Sequence, residues 1–222
     1  MKSIRIYNRR KTTPLMYIMA AEHLQGVSTK EISTRRFPRK VFPRKELPMK
    51  ELKDYVLTIP DFPEPGVMFR DITSVLQDAD GLRLAIDEMQ ELVKDVDFDV
   101  VAGAESRGFC FGAPIAYNLH KPLVLIRKKG KLPRETVSVE YELEYGTATL
   151  EIHKDAIQPG QKVLLVDDLI ATGGTNLAMA HLIESLGGEI AGVVVLMELA
   201  GLKGREKLGK YPLYSALTYE GK

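Results

Sequence analysis

Beyond residue 49 the apolar positions fall into short continuous runs separated by stretches with helical spacing. The run over 98–104, FDVVAGA, is too short for a helix and predicts a strand buried on both faces. The runs over 122–127, 162–166 and 190–197 read the same way, and 147–153, TATLEIH, reads as a strand of alternating character. Helical spacing covers 81–94, 108–119 and 174–186, the last closed by Gly187 and Gly188. A short helix over 50–56 and a Pro/Gly-rich turn over 59–66 open this region, and a Lys/Gly/Pro-rich stretch over 128–134 predicts a mobile loop. Strands buried on both faces and alternating with helices predict an α/β fold with a twisted, mostly parallel sheet flanked by helices. No internal repeat or low-complexity tract interrupts the pattern.

Charge changes the picture at the amino terminus. The first 50 residues carry 13 Lys and Arg against 3 Asp and Glu, and the remainder carries 18 against 27. Residues 1–48 also contain Pro14, Pro38, Pro43 and Pro48, with helix-compatible spacing only over about 15–25. They are expected to be a basic, poorly ordered extension preceding a domain over 49–222. Its origin stays open between a targeting segment, an interaction arm and residues upstream of a natural start at Met49. The acidic body argues against a broad nucleic-acid surface, which would need cations to neutralise phosphates. No stretch approaches the ~18 consecutive apolar residues of a membrane span. A single cysteine, Cys110, excludes an internal disulfide framework and points to the cytoplasm.

The candidate chemistry lies in 163–175, VLLVDDLIATGGT, where a buried strand ends in two acids and a small-residue loop opens a helix. Ala171, Thr172, Gly173, Gly174 and Thr175 would offer backbone N–H groups, hydroxyls and a helix N-terminus to one phosphate, with glycines permitting close approach. Asp167 and Asp168, immediately before them, suit the paired hydroxyls of a ribose. The Walker pattern G-x-x-x-x-G-K-[ST] and the dinucleotide pattern G-x-G-x-x-G are both missing from the sequence, so a sugar phosphate fits better than a hydrolysed nucleoside triphosphate.

This segment resembles the binding motif for phosphoribosyl pyrophosphate (PRPP) of the type I phosphoribosyltransferases. Three further segments are similar to the adenine-specific branch of that family. IPDFPEPGVMFRDI, over 59–72, matches its base pocket, which implies that Phe69 stacks on adenine, that the backbones of Met68 and Arg70 read the base edge, and that Leu169 covers the other face. VVAGAESRGF, over 100–109, resembles the pyrophosphate loop and implies that Arg107 contacts pyrophosphate. RKKGKLPRETVSVEYELEYG, over 127–146, resembles the flexible catalytic loop, with Arg127 and Lys131 as further pyrophosphate cations.

Glu144 matches the residue that handles the proton on the adenine ring nitrogen opposite the attacking one, although Glu140 and Glu142 lie close by in the same acidic run. The resemblance implies a type I phosphoribosyltransferase fold with a small hood. It implies purine salvage, with adenine and PRPP as substrates and AMP and pyrophosphate as products. It also implies Mg2+ held mainly by PRPP rather than by a protein metal site, and a homodimer. Two other readings stay open on the sequence: transfer to a different purine or pyrimidine base, and a purine-responsive DNA-binding regulator whose basic amino terminus reads DNA.

Overall fold

Each continuous apolar run of the sequence forms a strand in the computed structural model, which describes residues 50–142 and 147–221. The extension over 1–48 and Glu144 lie outside the described residues. After a 3-10 helix at Leu52–Tyr55, β1 (Leu57–Pro60) and β2 (Met68–Asp71) pair antiparallel as a separate hairpin, the expected hood. Helices α1 (Thr73–Gln77) and α2 (Ala79–Leu92) lead to β3 (Val100–Ala104), α3 (Gly108–Asn118), β4 (Leu123–Lys128), β5 (Thr136–Glu142) and β6 (Thr147–His153). β7 (Lys162–Ile170), α4 (Gly174–Ser185), β8 (Glu189–Leu199), a 3-10 turn at Ala200–Leu202, α5 (Gly204–Leu208) and β9 (Leu213–Tyr219) complete the described chain.

The main sheet has seven strands in the order β5-β6-β4-β3-β7-β8-β9. β4, β3, β7, β8 and β9 run parallel, while β6 lies antiparallel to β4 and β5 antiparallel to β6. Side-chain alternation sends each central strand into two cores. Val163 and Leu165 of β7 share one core with Met179, Leu182 and Ile183 of α4. Leu164 and Val166 share the other with Ile86 and Met89 of α2 and Phe111 and Ile115 of α3. Full burial of each such side chain stabilises the fold by about 1.5–3 kcal/mol, which is why both faces must be covered by helices.

Local chemistry sets the helix ends. α2 starts two residues before the expected position because Asp78 caps it, its carboxylate accepting from the Asp80 and Gly81 N–H groups at 2.9 and 3.0 Å. α4 closes at Gly187, whose φ of +83° a residue with a Cβ adopts only at a cost.

The expected loop over 127–146 needs correction. Lys128 still belongs to β4, and Thr136–Glu142 is a strand paired along its whole length with β6. Val137, Val139 and Tyr141 supply the alternation that the basic, breaker-rich start of the segment obscures, and they pack on the first core. β9 and the β1–β2 hairpin were likewise not legible as strands. β9 is half-buried along most of its length, and β1 ends in a proline.

Candidate active site

β7 outruns its apolar core and carries Asp167 and Asp168 to the carboxyl end of the sheet, where ligands of open α/β folds bind. Both acids are buried, at 7% and 6% exposure. The start of α3 packs directly on them, since a Cβ added to Gly108 would lie 2.7 Å from the Val166 carbonyl oxygen and 3.1 Å from Asp167 Oδ1. The Asp168 N–H donates to Asp167 Oδ1 at 2.9 Å. Burial, and after it the neighbouring Asp168 charge, hold the Asp167 carboxyl well above the usual carboxylate range. Arg107, at the turn into α3, donates from Nε to Asp168 Oδ2 at 2.6 Å.

Past Ile170 the chain turns through Ala171, Thr172 and Gly173 into α4. Gly173 is the N-cap and sits in the left-handed region at φ +77°. The first turn of α4 contains Thr175, whose Oγ1 lies 3.4 Å from Tyr141 Oη, and Asn176. Asn176 is 2% exposed and its Nδ2 has no hydrogen-bond partner among the described residues. These residues, with both acids, Leu169, Glu105, Ser106, Arg107 and Lys128, line a cavity of about 340 Å³. The loop, the twin acids, Leu169 and Arg107 are therefore brought together as the sequence predicts.

The other expected cations stand differently. Arg127, on β4, spans Glu105 with Nε and Nη2, both at 3.2 Å, and donates from Nη1 to the Lys131 carbonyl at 3.1 Å. Glu105 also accepts from the Lys128 N–H at 2.9 Å. Burial pushes the Glu105 carboxyl up, but those hydrogen bonds and the Arg127 and Lys131 charges outweigh it and leave its pKa lowered. The turn bearing Lys131 is held by buried Glu151, which accepts from the Lys131 and Leu132 N–H groups at 3.1 Å each. Lys131 and Arg127 do not line the cavity, whereas Lys128 does.

Of the expected base-contacting residues, Met68, Phe69 and Arg70 lie on the hood hairpin and do not line the cavity, whereas Leu169 lines it from β7. Phe69 meets Phe62 edge-on with centroids 5.0 Å apart, and the Arg70 guanidinium bonds Thr58 Oγ1 and sits 4.4 Å over the Tyr219 ring. Glu144 lies outside the described residues. Sequence reasoning missed Glu105, Ser106, Lys128 and Asn176 as lining residues. For Asn176 a signal existed, since it falls in the first turn of the helix that the loop opens. For Lys128 none did, because adjacent cations on a strand point to opposite sides and nothing local says which one faces the site.

A family model for the phosphoribosyl transferase domain matches residues 72–215. The adenine phosphoribosyltransferase of Agathobacter rectalis is 66% identical over 171 residues, spanning 77% of this chain and 98% of that relative. The crystal structure of adenine phosphoribosyltransferase from Thermoanaerobacter pseudethanolicus matches with a TM-score of 0.73 at 50% identity, covering 76% of this chain and 98% of that one. The Saccharomyces cerevisiae enzyme, solved with D-2,5-dideoxy-2,5-imino-altritol 1,6-bisphosphate and adenine, matches with a TM-score of 0.69 at 39% identity, covering 74% and 95%. Relatives of this identity align over nearly their whole length with the sheet that carries the twin acids and the loop into α4, and the chain belongs to the adenine phosphoribosyltransferase family.

Proposed function

We propose that this chain transfers the 5-phosphoribosyl group of PRPP to adenine, giving AMP and pyrophosphate in purine salvage. The observation that carries this reading is the end of β7. There two buried carboxylates adjoin the turn through Gly173 into α4, whose first-turn Asn176 keeps a buried amide donor without a partner among the described residues. A buried donor of that kind suits a phosphate oxygen. In this reading Ala171, Thr172, Gly173, Gly174 and Thr175 hold the 5-phosphate at the start of α4, and Asp167 and Asp168 accept from the ribose hydroxyls. Arg107 and Lys128, which line the cavity, meet the pyrophosphate, with Arg127 bonded to Glu105 and the Lys131 charge near it adding positive charge at that end.

Phe69 and Leu169 flank adenine, and the backbones of Met68 and Arg70 read its edge. A 6-oxo base would leave those backbone groups unpaired. The bond from C1 to the pyrophosphate oxygen breaks, the N9–C1 bond forms with inversion, and the proton on N7 of the base passes to Glu144. The donors present fit Mg2+ that arrives on PRPP. The cavity carboxylates are Glu105, Asp167 and Asp168, and Glu105 and Asp168 already bond arginines, so the cation would take most of its ligands from PRPP and water. When bound, Mg2+ offsets charge on the departing pyrophosphate.

The same reading places the enzyme in the cytoplasm as a homodimer. A single cysteine in the chain supports the first. No described helix is long and apolar enough to cross a membrane. AMP formation from adenine, PRPP and Mg2+, assayed on the full chain and on a chain starting at Met49, tests the proposal. Equal turnover in both is expected. Faster use of hypoxanthine than adenine would refute the substrate, and no turnover with PRPP binding retained would favour a regulator.

A further inference from the structure

We infer that Arg205, Glu198 and Gly204 form a clamp that positions the loop over 171–175, an inference that rests on the proposed use of that loop to hold the 5-phosphate. Gly204 opens α5 and lies backbone to backbone against the loop. A Cβ added to Gly204 would come within 2.3 Å of the Ala171 carbonyl oxygen and 3.0 Å of the Gly173 nitrogen. A Cβ added to Gly173 would come within 2.8 Å of the Gly204 carbonyl oxygen. The two segments thus meet largely backbone to backbone, with Ile170 Cγ1 also 2.7 Å from the would-be Gly204 Cβ.

α5 spans only Gly204–Leu208, far too short to keep its place by its own hydrogen bonds. Two anchors hold it. Leu208 is buried in the first core, and Arg205 grips the end of β8. Arg205 Nε reaches Glu198 Oε1 at 3.0 Å and Oε2 at 3.2 Å, Nη2 reaches Oε2 at 2.5 Å, and Nη1 donates to the Leu213 carbonyl at 2.9 Å. Glu198 is 5% exposed, and the Arg205 fork reaches both of its carboxylate oxygens inside the fold. Its strand register completes the link, because Glu198 pairs with Ile170, the residue immediately before the loop. The fork therefore ties α5 to the same level of the sheet from which the loop departs. Arg205 and Glu198 do not line the cavity, so they act as positioning residues.

The test compares Arg205→Gln, Arg205→Lys and Gly204→Ala in the full chain, with melting temperatures confirming folding at the assay temperature. Calorimetric binding of ribose 5-phosphate reports the loop, and binding of pyrophosphate reports the opposite end of the cavity. Arg205→Gln is expected to weaken ribose 5-phosphate about tenfold and raise KM for PRPP to a similar degree, with pyrophosphate binding and KM for adenine at saturating PRPP within about twofold. Arg205→Lys keeps a charge beside Glu198 but loses the fork, and its effect falls between. Gly204→Ala leaves the fork and reproduces the selective loss of ribose 5-phosphate, which keeps the test decisive if Arg205→Gln fails to fold. Equal weakening of both ligands would reduce the clamp to general stability and overturn the inference. The unmutated chain separates this from the proposed function: no AMP from adenine and PRPP overturns the function, whereas normal AMP formation with ribose 5-phosphate binding untouched by folded variants overturns the clamp.

Discussion

Gly173→Ala isolates the physical reason for a glycine at the turn into α4. The residue sits at φ +77°, where an alanine costs about 1 kcal/mol from its Cβ meeting the backbone. The new methyl would also lie 2.8 Å from the Gly204 oxygen and 3.2 Å from the Gly204 Cα, both main-chain atoms with no flexible end to swing away. Overpacking of that kind adds about 2 kcal/mol, for about 3 kcal/mol together. Gly160 supplies the control, since it has a similar φ of +82° but nothing within 4 Å of its would-be Cβ, and Gly160→Ala should cost only the first part, about 1 kcal/mol. In a folded unit of this size those costs lower Tm by roughly 6–12 °C and 2–4 °C respectively. Scanning calorimetry of the three proteins, with ribose 5-phosphate binding measured in parallel, checks the argument. Equal Tm losses for the two variants, or unchanged ribose 5-phosphate binding in Gly173→Ala, would show that the Gly204 backbone yields and that the reasoning is wrong.

Glu144→Gln is expected to lower kcat by about 100-fold while leaving PRPP binding within about twofold, because only proton transfer is lost; unchanged turnover would remove Glu144 from the chemistry. Asp168→Asn removes the charge that Arg107 Nε holds at 2.6 Å and should raise KM for PRPP by about tenfold, read from initial rates. Asp167 has a raised folded pKa, so its contribution to stability is full below its ordinary value of 3.8 and declines as pH rises toward the raised one. Urea unfolding between about pH 4 and about pH 8 should show Asp167→Asn gaining on the unmutated protein as pH rises, since the amide oxygen can still accept the Asp168 N–H. A difference independent of pH would mean that Asp167 does not titrate as its burial implies.

Much of this protein is written locally. Continuous apolar runs determine the central strands, because burial on both faces leaves no polar positions, and apolar spacing at period 3.6 determines the helices. The segment from Val163 to Thr175 joins strand, acids, glycine turn and helix within thirteen residues, so the end of β7 and the start of α4 are legible in the sequence. Tertiary structure alone decided what depends on neighbours distant in sequence. β5 exists because Val137, Val139 and Tyr141 find β6 and the core, against the breaker-rich composition just before them. Arg127 turns to Glu105 while Lys128 faces the cavity, a choice set by strand parity and by a partner 22 residues away. Gly204 backs Gly173, and Arg205 holds it there through Glu198, only because β8 delivers its end beside Ile170. Local spacing determines which elements can form; which of their ends meet is settled by sheet order and long-range packing, which no window of sequence contains.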